Sequence, residues 1–263
     1  MMRRHLKCKE VARGCVKKIF FFWCQEKKMK TLFLWLKDIA TWFIEFVDDM
    51  YPATSPELTL TYHDERADSS RRCLNFCNYS FNDVRISKTS YDDLKDEFPS
   101  EIPCLEINND YEEDVVHSPK TILRYVGRLC RMYPTKDPVN AAIVDRWLDL
   151  HTEFMEPIEL NRNPSSMGLT WTESEQQRHG AWLSETHIPK YLCFLNKELE
   201  SSDYLGNLDR ESIADMCWIS TLVWLASGAF AAFDADTLQE YEHIDSYMRQ
   251  LVGDMESSKD KNI

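Results

Sequence analysis

Ser118 and Pro119 open an amphipathic segment in which Ile122, Val126 and Leu129 recur on one face. A serine at a helix N-cap, with proline at the first helical position, presents a hydroxyl and unpaired amides at the positive end of the helix dipole. Such a start is a ready site for a carboxylate, and His117 stands directly ahead of it. Tyr62 follows a short β-branched and apolar run and carries a phenolic donor. Lys95 is a cation in an acidic stretch. Pro103 opens an apolar run, and proline is accepted only at the entry or edge of a strand. A cis Ile102–Pro103 bond would turn the amide and carbonyl of Ile102 outward, free to pair with an extended peptide. Each feature also has a plain structural reading: a helix start, a packed tyrosine, a solvated lysine.

The thiols suggest less. Nine cysteines are present, none in CxxC or zinc-ligand spacing, and seven histidines form no HExxH. Cys73 and Cys77 stand one helical turn apart, the spacing of a packed face. The expectation is reduced thiols on the cytoplasmic side of any membrane, and no structural metal.

The 263 residues suffice for one large or two smaller domains with a substantial core. A net charge of −13 argues against nucleic acid as a partner. The charge is uneven, with eleven Lys and Arg against Glu10 and Glu26 between Met1 and Lys37. Residues 16–50 are apolar and aromatic, with a polar stripe through Lys30, Lys37, Asp38, Thr41, Glu45 and Asp48. No stretch holds the roughly 20 clean apolar residues that a span requires. A helix lying in the plane of a membrane surface is the favoured expectation. The alternatives are an organelle-targeting presequence or a helix docked on the following domain. Cys8, Cys15 and Cys24 are candidate acylation sites by their setting alone, and residues 52–56 read as a linker.

The elements that must position the candidate residues follow from period and turn signals. Strands are predicted at Leu58–Thr61, Asn82–Ile86, Ile102–Ile107 and Glu113–Val116, with helices at 68–77, at Tyr91–Glu97 and from Ser118. That order gives a small mixed sheet with helices packed on it. Beyond residue 139 no strand is expected. Ala141–Ile158 places Ile143, Val144, Trp147, Leu148, His151 and Met155 along one side. Capping boxes stand at Thr172–Glu175 and Ser212–Asp215, and the second opens a helix, Ile213–Ala226, so apolar that it must be buried all round. Asp215 is therefore read as a folding residue.

Five stretches in order resemble the cytosolic glutathione transferases, most closely the sigma-like class. They are Tyr62-x-Asp64-x-Arg66, FNDVRIS at 81–87, Tyr91-x-x-x-Lys95, PSEIPCLEI at 99–107 and the serine-led helix at 117–134, and the Gly206 and Ser212–Asp215 box extends the resemblance into the helical half. The resemblance covers residues 57 to about 255. It implies an α+β thioredoxin-like domain at 57–134 followed by an all-α helical bundle at 139–255. Residues 1–56 are an extension and 256–263 a polar tail.

It further implies glutathione as co-substrate and a homodimer. Tyr62 would be catalytic, donating to the glutathione sulfur and stabilising the thiolate. Tyr91, Lys95, Ile102, Pro103, His117 and Ser118 would bind glutathione, and Phe154 and Met155 would line the electrophile pocket. Conjugation to small hydrophobic electrophiles is the implied reaction, with isomerase or peroxidase chemistry as variants. The chain departs from the family pattern at His117 (commonly glutamine), Glu101, Ala67, Asp68 and Tyr91. These departures leave a second expectation, a catalytically weak or inactive transferase-like module tethered to a membrane by its N-terminal segment. The implied location is cytoplasmic, peripheral on a membrane if residues 16–50 bind one.

Overall fold

The computed structural model describes residues 56–87, 102–108 and 113–260, with side chains to residue 253 apart from that of 166. The segment at 16–50, most of the linker, Tyr91, Lys95 and Glu101 lie outside the described residues. From Pro56 onward the chain is one packing unit.

Four strands form one mixed sheet: β1 (Glu57–Tyr62), β2 (Asn82–Arg85), β3 (Cys104–Asn108) and β4 (Glu113–His117), in the order β2-β1-β3-β4. β1 and β2 are parallel, as a connection through a helix requires, and the other pairs are antiparallel. Alternation in β1 buries Leu58, Leu60 and Tyr62, while β3 buries Leu105 and Ile107. The third strand starts at Cys104, after the proline that was expected inside it, because Pro103 has no amide for the ladder. Helices α1 (Asp68–Phe76) and α2 (Pro119–Leu129) complete this half, packed on each other.

The remainder is helical among the described residues: α3 (Pro138–Arg162), α4 (Glu173–Trp182), α5 (Ile188–Leu199), α6 (Ile213–Ala226) and α7 (Glu242–Asp260). α3 begins three residues before the expected Ala141, since the Asp137 carboxylate accepts from the amides of Val139 and Asn140. A π-helical stretch, Leu183–His187, joins α4 to α5. Both predicted capping boxes form.

As its composition demands, α6 is buried on every side through most of its length and touches α1, α2, α3 and α7. The two halves therefore share one core rather than meeting at a wet interface. Gly127 in α2 makes this possible: a Cβ there would lie 2.3 Å from Ile213 Cγ2. Asp215 ties the helical half together. Its carboxylate accepts from the amides of Leu205 and Ser212 and from the hydroxyls of Ser212 and Tyr247, all at 2.8–2.9 Å.

Candidate functional site

Register brings the candidate residues to one end of the sheet. Thr61 stands opposite Cys104, and Cys104 opposite His117. Tyr62, Pro103 and Ser118 are the next residues at that same end of three neighbouring strands. The Ile102–Pro103 bond is cis, as expected. Pro119 occupies the first turn of α2, again as expected, and the Ser118 carbonyl accepts from the Ile122 amide at 3.0 Å.

Ser118 departs from the expectation in one respect. Its backbone sits at φ 74° and ψ 127°, in the positive-φ region that non-glycine residues rarely enter, and its hydroxyl makes no capping bond. It marks the helix start through its backbone. The first-turn amides have no acceptor within the helix, so the anion-attracting end of α2 stands without a side-chain cap.

Tyr62 is buried, and its ring lies under the Arg71 guanidinium at 5.0 Å. Its hydroxyl is hydrogen-bonded to Asp83 on β2, and burial together with that carboxylate pushes the phenol pKa up. Asp83 is itself held by Arg71 through Nε at 3.1 Å and Nη2 at 2.8 Å. Arg71 also reaches Asp68 at 3.1 Å. The tyrosine thus points its proton at a fixed acceptor within the protein.

A cavity of about 330 Å³ opens beside the start of α2, between the 3-10 turn Glu65–Ala67, the middle of α3 and α6. Ser118, Pro119 and Lys120 form one wall, with His151, Thr152 and Met155 of α3 and Cys217, Thr221 and Trp224 of α6 across from them. The Lys120 ammonium crosses to α3, where it donates to the Leu148 carbonyl and the Thr152 hydroxyl, and burial lowers its pKa. His151 Nε2 lies 2.7 Å from Thr221 Oγ1. Burial, and then the Lys120 charge, press the His151 pKa down to about 3, so the ring is neutral at physiological pH. Burial pushes the Cys217 thiol up to about 11, which leaves it protonated and a poor nucleophile. At the rim Arg162 pairs with Glu65 at 2.5 Å and Glu159 at 2.8 Å and lies 5.0 Å over the Trp224 ring. This clamp joins the 3-10 turn ahead of α1 to the end of α3.

Of the sequence-predicted residues, Ser118 and Met155 line the cavity, and Tyr62, Ile102, Pro103 and His117 do not. His117 ends β4, half-buried, opposite Cys104. Phe154 is corrected from pocket to core. It is fully buried, with Trp218 and Tyr191 each 5.4 Å away and His187 stacked at 5.8 Å. It points inward because it is next to Met155 on a helix, about 100° round the axis. The sequence reading missed Lys120, His151 and Thr221 as wall residues. The first two carried a signal: Lys120 is two residues past Ser118, and His151 is one turn before Met155.

No protein-family model matches the chain, and no curated protein does. Solved structures do. The prostaglandin synthase D of Nilaparvata lugens superposes with a TM-score of 0.65 at 20% identity, over 79% of this chain and 100% of that one. This is a glutathione transferase fold. The sigma class glutathione transferase of Fasciola hepatica gives 0.61 at 15% identity over 80% and 98%, and the glutathione S-transferase of Ascaris lumbricoides 0.58 at 22% over 79% and 98%. The chain is a divergent protein of this transferase fold, with both expected parts: the thioredoxin-like sheet and the helical bundle. About a fifth of its length lies outside the likeness.

Proposed function

We propose that the chain is a glutathione transferase. Glutathione would lie along the sheet end formed by Tyr62, Pro103 and Ser118, with a carboxylate at the uncapped start of α2 and its cysteinyl unit against the Ile102 backbone. Tyr91 and Lys95 are assigned to the second carboxylate, and His117 to the edge of the site. The sulfur would face the cavity, which takes a small hydrophobic electrophile against Met155 and Trp224. The new carbon–sulfur bond forms as the leaving group departs, and the thiol proton passes to solvent. Tyr62 donates to the sulfur once its hydroxyl exchanges the Asp83 carboxylate for the ligand. Cys217 takes no covalent part. A homodimer and attachment of residues 16–50 to a membrane surface complete the proposal.

One observation supports this reading above the others: a carboxylate-attracting helix start, a cis-proline and a tyrosine gathered at one sheet end beside an open cavity. The test is retention on immobilised glutathione, together with turnover of glutathione and an aryl halide. The full chain is expected to be retained and to turn over. Retention without turnover would favour the transferase-like binding module. Neither retention nor turnover would refute the assignment of glutathione.

A further inference from the structure

Two thiols one helical turn apart and a third more than fifty residues further along the chain meet where α1 and α2 end. Cys73 lies on the last turns of α1, Cys77 directly follows that helix, and Cys130 directly follows α2. Their Sγ atoms all lie within 4.8 Å of one another. Cys73 is fully buried, the other two are half-buried, and all three are free of disulfides. Met132, also buried, brings its thioether sulfur to 3.5 Å from Cys73 Sγ. Otherwise Cys77 and Cys130 direct their thiols at backbone carbonyls, at 3.6 and 3.7 Å. Among the described residues no carboxylate or imidazole belongs to the cluster.

We propose that Cys73, Cys77 and Cys130, backed by Met132, bind one soft monovalent metal ion, Cu(I). Three thiolates around a metal at about 2.3 Å stand about 4 Å apart, so closing on the ion takes a contraction of less than about 1 Å. The donor set selects the metal. Zinc takes four ligands from thiolate, imidazole and carboxylate, whereas thiolate with thioether is the soft set that suits Cu(I). The two half-buried thiols give the ion a way in, and the buried one with Met132 forms a floor without water. Binding releases the thiol protons to solvent. The excess negative charge of three thiolates on a monovalent ion faces Arg210, whose guanidinium donates to the Arg131 carbonyl and whose charge acts on Cys77.

The site is tested on the full-length chain with Cys8, Cys15, Cys24 and Cys193 replaced by serine, fully reduced and kept anaerobic. Cu(I) is titrated against bicinchoninate as competing chelator, and the loaded protein is measured by X-ray absorption. The expected result is one Cu(I) per chain with three or four sulfur neighbours at about 2.3 Å. Cys77→Ser and Cys130→Ser should each weaken binding at least about tenfold, and Zn(II) should not displace the copper. Unchanged binding in both variants, a nitrogen or oxygen shell, or displacement by Zn(II) would overturn the proposal. If a serine variant fails to fold, the absorption spectrum of the intact trio still decides.

Discussion

The Tyr62 hydroxyl is hydrogen-bonded to Asp83, and Arg71 holds that same carboxylate from the other side while its guanidinium covers the tyrosine ring. One acceptor on the edge strand thus governs where the tyrosine directs its proton. Asp83→Asn removes the negative charge that, after burial, raises the phenol pKa. Under the proposed function this variant should turn over glutathione faster than the wild type near neutral pH. Tyr62→Phe should lose most turnover and keep retention on immobilised glutathione. Equal turnover in Tyr62→Phe and wild type would remove Tyr62 from the chemistry.

Met155 and Phe154 separate cavity from core. Met155→Trp fills the cavity and should raise KM for the electrophile at least about tenfold, with glutathione retention unchanged. Phe154→Ala should instead cost about 3–5 kcal/mol of stability, measured by urea unfolding.

Asp215 carries a pH signature. Burial, against its four hydrogen bonds, raises its pKa to about 6 from 3.8. The folded state therefore binds the proton more tightly than the unfolded chain. The stability from this group is present in full below the unfolded value and is lost as pH rises through about 6. Asp215→Asn has no such dependence, so the stability gap between wild type and Asn should be wider at pH 4 than at pH 7.5, by up to about 3 kcal/mol. Asp215→Ala leaves several buried donors unpaired and should cost about 3 kcal/mol or more at either pH.

His151 has the opposite sign. Its pKa is depressed, so its contribution is present above the unfolded value near 6.5 and drains away as pH falls toward about 3. Imidazole nitrogen shifts at pH 5 should show a neutral ring. Because the Lys120 charge adds to the burial, Lys120→Met should raise the His151 pKa. An unmoved value would show that burial alone sets it.

Gly206 is at φ +77°, and a Cβ there would stand 2.3 Å from Ile143 Cγ2. Gly206→Ala should cost more than about 1 kcal/mol. Ile143→Ala in the same chain should recover part of that loss, and a double-mutant cycle by chemical unfolding measures it.

Short-range chemistry was the legible part of the fold. Strand alternation at Leu58 and Leu60, the Ser212–Asp215 box and the wholly apolar α6 each state their structure within a few residues. Pro103 and Ser118 were legible as well, though Ser118 only by position: nothing in its sequence neighbourhood announces a positive φ. What the sequence withheld depends on packing across long separations. Phe154 and Met155 are adjacent, and only the arrival of α6 and α5 decides which is enclosed. Asp83 reads only as a polar residue of the second strand until the parallel β1–β2 pairing brings it to Tyr62. Cys73 and Cys77 read as a packed face because Cys130, the third member, follows a different helix.

Lys120 begins two residues from the proposed glutathione carboxylate and ends on α3, bonded to the Leu148 carbonyl and to Thr152, which lines the proposed electrophile cavity. Under the proposed function the two substrates share a structural member, and their affinities should be coupled. Linkage makes the coupling reciprocal: whatever factor glutathione applies to the affinity of the electrophile, the electrophile returns to glutathione. Lys120→Met should therefore move that coupling factor toward one, read as the change in glutathione affinity when the electrophile is present.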